Sequence, residues 1–61
     1  MRNLLNNSQM PMGLGMAFAE NMEAMSRFSA MTNAEQQVII TRARTIHSKA
    51  DMQALVRSLI Q

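Results

Sequence analysis

Three sulfur atoms raise the first chemical question. Met10, Met12 and Met16 lie within the stretch MPMGLGMAF, an M-x-M followed by x-x-x-M. Thioethers are soft ligands that select cuprous ion, and this spacing resembles that of methionine-rich copper sites. Two features weigh against ligation. Such sites belong to exported or membrane-facing segments, whereas here Leu4-Leu5 runs into Asn6-Asn7-Ser8-Gln9 instead of the apolar centre of a signal peptide. Met22, Met25 and Met52 also fall on apolar helical stripes, where an unbranched flexible side chain fills irregular gaps. The expectation is packing, with Met10 and Met12 lightly held ahead of the first helix and Met22 and Met25 turned inward. Met16 stands about half a turn off the Leu14-Phe18-Met22 line, so Met12 and Met16 are the candidate partner contacts. No metal and no cofactor is expected.

Acid–base or nucleophilic chemistry has little to work with. The single His47 is expected at a helix end, where a cation complements the dipole and bonds the last carbonyls. No cysteine is present, and no pair of carboxylates converges with a nucleophile; Glu20 and Glu23 read as a solvated face. Gly13 and Gly15 lack the preceding strand and the following glycine or lysine of a phosphate-binding loop, and mark a helix start instead. The chain is therefore expected not to be an enzyme.

Phosphate recognition needs clustered cations. Residues 1–31 balance Arg2 and Arg27 against Glu20 and Glu23, so the formal charge of +2 comes from Arg42, Arg44, Lys49 and Arg57 set against Glu35 and Asp51. These four basic residues, with His47, could gather where the second and third helices join, which makes weak DNA or RNA binding the alternative function. As a recognition helix, however, the third helix offers a groove only Lys49, Gln53 and Arg57. With Phe18 and Phe28 the only aromatics, nothing is available for base stacking along that surface.

The elements that must position these residues are helical. Leu14, Phe18, Met22, Met25 and Phe28 recur at helical spacing, with Asn21 as a defect or as the cap of a second short helix whose first turn holds Glu23. Thr32-Asn33-Ala34-Glu35 is a capping box; behind it Val38, Ile39, Ala43 and Ile46 form the expected buried stripe, while Gln36, Gln37 and Arg42 or Arg44 face water. That helix should end near Ile46 or His47. Ser48-Lys49-Ala50-Asp51 repeats the cap with a shorter acid, and Met52, Leu55, Val56, Leu59 and Ile60 give an amphipathic stripe at i, i+3, i+4, i+7 and i+8. No alternating β pattern occurs. Connections of a few residues at Ala30-Met31-Thr32 and His47-Ser48 make successive helices neighbours.

The run PMGLGMAFAENMEAMSRF, the capped TNAEQQVI and SKADMQALV together resemble a group of short uncharacterised proteins of Gram-positive, clostridia-type bacteria. The resemblance covers residues 11–59. It implies a bacterial cytoplasmic protein whose whole length is the domain, and it carries over no functional residue. Met31-Thr32 stands where that group would have Leu-Ser, and Asp51 where it would have glutamate; both changes keep the capping chemistry.

The expected fold is all-α: a compact three- or four-helix bundle or orthogonal array over residues 13–61, after a flexible leader of residues 1–12. A chain of 61 residues buries only about 60% of its unfolded surface, so its stability is marginal unless a partner or second copy adds area. No stretch offers the about 20 mostly uncharged apolar residues that a membrane span needs: the most apolar window, 10–31, is broken by Glu20, Glu23 and Arg27. The expected function is a non-enzymatic protein-interaction module, cytoplasmic, engaging a protein partner or itself.

Overall fold

The computed structural model describes residues 10–61, and four α-helices account for most of them: α1 (Met12–Ala19), α2 (Met22–Ala30), α3 (Asn33–Arg44) and α4 (Lys49–Arg57). Among the described residues there is no strand. The Cα radius of gyration is 10.5 Å, near the roughly 10 Å of a compact chain of this size. The expected leader lies mostly outside the described residues, and its boundary moves: α1 begins at Met12, one residue ahead of the glycine taken as its start.

Each start has a local cause. Pro11, with φ −58°, precedes α1, and its carbonyl accepts the Leu14 and Gly15 N–H groups at 3.1 Å. No side chain caps this helix, and its first turn holds no acid. Asn21 ends the continuity that a single long first helix would have had. Its Oδ1 accepts the Ala24 N–H at 3.2 Å, so a new helix starts there with Glu23 in its first turn, where a carboxylate complements the dipole. At Thr32 the capping box is complete: the Glu35 N–H donates to Thr32 Oγ1 at 3.2 Å and Glu35 Oε1 accepts the Thr32 N–H at 3.0 Å. Ser48 Oγ accepts the Asp51 N–H at 3.0 Å to start α4.

The core forms around α1, which packs against each of the other three helices. Leu14, Ala17 and Phe18 on its inner face meet Ala24 and Phe28 of α2, Ile39, Ile40 and Ala43 of α3, and Met52 and Val56 of α4. The Phe18 and Phe28 rings lie 4.9 Å apart between centroids at 42°, a tilted contact favoured by the ring quadrupoles.

Several expected positions are corrected. The α3 stripe is Gln36, Ile39, Ile40 and Ala43, rotated from the expected one: Val38 is 50% exposed and Ile40 takes a buried place. Gln36 was expected in water but is 4% exposed, because its Nε2 donates to the Phe28 carbonyl at 2.8 Å in the last turn of α2. Helix α3 stops at Arg44, so Ile46 lies beyond it, half-buried against the core. Leu55 and Leu59 are likewise half-buried, not fully enclosed. Met22 does not pack inward. It is the first residue of α2 and 62% exposed, while Met25 is half-buried.

Candidate functional site

Helix α1 reads MGLGMAFA, with no polar side chain on any side. A helix that is apolar all round is normally buried all round. Only the inner half of α1 is covered. Its outer stripe, Met12, Gly15, Met16 and Ala19 at i, i+3, i+4 and i+7, faces away from the core, with Met12 81% and Met16 61% exposed. These two sequence-predicted contacts therefore sit one turn apart on one open face.

Asn21 explains how this face acquires a wall. By ending α1 and restarting the chain as α2, it brings Met22 and Met25 beside the outer stripe of α1. Together with Met10, Pro11, Met12, Gly15, Met16 and Ala19 they line a groove of about 540 Å³ that contains no ionisable side chain and no side-chain nitrogen or oxygen. Met10 folds back over α1: its sulfur lies 3.8 Å from the place a Cβ on Gly15 would occupy, and the side chain is half-buried against the core. The expectation of a lightly held Met10 is thus corrected. Met22, Met25 and Ala19 were not foreseen in this surface. The only sequence signal for them was the Asn21-Met22-Glu23 cap pattern, read together with the change of helical phase it imposes.

A second hollow, of about 300 Å³, lies between α1 and the start of α4. Met16 and Met52 contribute apolar walls, and Glu20, His47, Lys49 and Gln53 the polar ones. Glu20 Oε1 accepts from Gln53 Nε2 at 3.0 Å, and its Oε2 lies 4.0 Å from Lys49 Nζ. With side chains 78% and 54% exposed, the Lys49–Glu20 pair is worth little. His47 is exposed in the α3–α4 connection, and the bond to a terminal carbonyl expected of it is made instead by Thr45 Oγ1, which donates to Arg42 O at 2.8 Å. Among the described residues no group of three or more histidines or carboxylates could hold a metal ion.

The basic residues named in the sequence lie on two helices, Arg42 and Arg44 in the last turn of α3 and Lys49 and Arg57 at the two ends of α4. Arg42, Arg44, Lys49 and Arg57 are all exposed. Arg42 and Arg44, two positions apart on α3, point about 160° away from each other around the axis. Lys49 and Arg57 occupy the two ends of α4, about 12 Å apart along its axis at a 1.5 Å rise per residue. Lys49 also faces a carboxylate.

No known protein family, no curated protein and no solved structure matches the chain. No helix among the described residues is long and apolar enough to cross a membrane.

Proposed function

We propose that this protein is a small non-enzymatic interaction module, bacterial and cytoplasmic, which engages a protein surface through the methionine-lined face of α1 and α2. One observation carries the reading: the central helix of the fold is apolar on every side, yet its outer stripe is open. Methionine suits that use, since a thioether chain with three rotatable bonds moulds itself to a surface it meets. Fully burying one such side chain contributes about 1.5–3 kcal/mol, so covering Met12, Met16 and Met22 is a substantial gain for a chain this small.

The alternative, phosphate binding through Arg42, Arg44, Lys49 and Arg57, has four exposed basic side chains and a net charge of only +2 in its support. The two readings part on salt, because a phosphate complex weakens steeply as salt rises and an apolar one does not.

Methionine oxidation tests the proposal inside the cell. Brief peroxide treatment of dilute purified protein should oxidise Met12, Met16 and Met22 quickly and the buried Met52 slowly. In cells producing the protein at its natural level, the first three should be protected. Equal oxidation of Met12 and Met16 in both settings would overturn the reading.

A further inference from the structure

We infer that the hollow between α1 and the start of α4 binds a free α-amino acid with an apolar side chain. This site is separate from the methionine-lined face of α1 and α2 and shares only Met16 with it. Its lining divides in two. Met16, Ala17, Ile46 and Met52 make an apolar floor, with Gly13 at the point where a side chain would press on Met52 Cε at 3.3 Å. On the rim stand a carboxylate, Glu20 at the end of α1, and an ammonium, Lys49 at the start of α4. Small-molecule sites share this plan, an apolar lining with a few polar groups that fix orientation.

The polar groups suit a zwitterion. Gln53 Nε2 donates to Glu20 Oε1 at 3.0 Å, which holds the carboxylate from one side and leaves Oε2 facing Lys49 Nζ, 4.0 Å away. That pair is loose and exposed, so parting it costs little. A ligand ammonium placed there takes Glu20 Oε2, and the ligand carboxylate beside it takes Lys49 Nζ. Each protein charge then exchanges one partner for another. A ligand with one charge cannot complete the exchange, because a lone carboxylate would face Glu20 and a lone amine would face Lys49. The helix ends reinforce this polarity, since Glu20 stands at the negative end of α1 and Lys49 in the positive first turn of α4.

Size narrows the side chain. The hollow measures about 300 Å³, at the low end for ligand sites and roughly twice the cavity that holds benzene. A side chain the size of leucine or phenylalanine fits over the floor while the two charges remain at the rim. The flexible thioethers of Met16 and Met52 adjust to either shape.

Titration of the isotope-labelled full chain with L-phenylalanine, followed by NMR, tests the site. Saturable shifts should centre on Gly13, Ala17, Glu20, His47, Lys49 and Gln53, while Ser26 and Gln37, exposed on α2 and α3 outside the hollow, stay in place. Hydrocinnamate lacks the ammonium and phenethylamine lacks the carboxylate, so each should bind at least about fivefold more weakly than phenylalanine. Glu20→Gln should weaken phenylalanine binding but not hydrocinnamate binding, and Lys49→Gln should weaken phenylalanine binding but not phenethylamine binding. Both residues are exposed, so both variants should keep the fold, which the same spectra verify. Bound phenylalanine should also slow peroxide oxidation of Met16 and leave that of Met12 unchanged. Absence of saturable shifts at the hollow, single-charge analogues that bind as well as phenylalanine, or variants that weaken all three ligands alike would overturn the inference.

Discussion

The Gln36 side-chain amide donates to the Phe28 carbonyl at 2.8 Å, joining α3 to the last turn of α2 across the Ala30-Met31-Thr32 connection. The same carbonyl accepts the Met31 N–H at 3.1 Å, so one terminal carbonyl of α2 is saturated inside the fold. Among the described residues Gln36 is the one buried polar residue, and no buried side-chain polar atom there lacks a partner. Gln36→Leu should therefore cost about 1–2 kcal/mol in chemical denaturation, the value of a buried hydrogen bond offset by added apolar burial. Gln36→Glu should cost more, since a carboxylate would lose a donor and face a carbonyl oxygen. A glutamate variant as stable as the parent would remove Gln36 from its structural role.

The core is tested by contrast between two aliphatic positions. Leu14 is fully enclosed and Val38 half exposed. Leu14→Ala should cost about 2–5 kcal/mol through lost transfer energy and the cavity left behind, enough to unfold much of so small a domain. Val38→Ala should shift stability by no more than about 0.5 kcal/mol. Equal losses at the two sites would mean that α3 is rotated from the orientation described.

Glycine in α1 weakens the helix for different local reasons at its two positions. At Gly15 an added methyl would meet Met10 Sδ at 3.8 Å, an ordinary contact, so Gly15→Ala should stabilise the monomer by about 0.5–1 kcal/mol. At Gly13 the methyl would meet Met52 Cε at 3.3 Å, and the terminal methyl of a flexible chain must give way, so the gain there should be smaller. Thermal melts of the two single variants decide the order.

How far the sequence reached is clearest at α2 and α3. Capping residues were legible: Thr32, Ser48 and Asn21 each accept a backbone N–H of the third helical residue that follows them, because short polar side chains at those positions have few better partners. Helical faces were less so. Asn21 was read either as a defect or as the cap of a second short helix, yet the stripe through Leu14, Phe18, Met22, Met25 and Phe28 kept one helical phase across it; the break reset that phase, turning Met22 out and Ala24 in. On α3 the buried face includes a glutamine, so a search for apolar periodicity alone chose Val38 over Gln36 and Ile40. Met12 and Met16 were correctly placed on the surface. Their convergence with Met22 and Met25 depends on the angle between two helices, which no periodicity encodes.

Helix starts give a further check. Asn21→Ala and Thr32→Ala should each destabilise by about 1 kcal/mol, because an N–H of the first turn loses its acceptor. Asn21 carries an additional burden, since it separates α1 from α2. Its alanine variant should also increase oxidation of Met25 as the wall of the groove loosens, and peptide mapping after peroxide treatment would detect that change. Thr32→Ala, distant from the groove, should leave the Met25 rate as it is.

The gathered sulfurs make the sharpest comparison between packing and ligation. If the groove uses only apolar volume and flexibility, replacing Met12, Met16 and Met22 together by leucine should leave thermal stability within about 1.5 kcal/mol, since leucine and methionine differ little in volume. Cuprous coordination needs the thioether lone pairs, which leucine lacks. Anaerobic titration against a cuprous-ion chelator should therefore show no stoichiometric complex able to compete, in the parent or in the triple variant. A tight complex of the parent that disappears in the triple variant would assign these methionines to metal binding and displace the packing account.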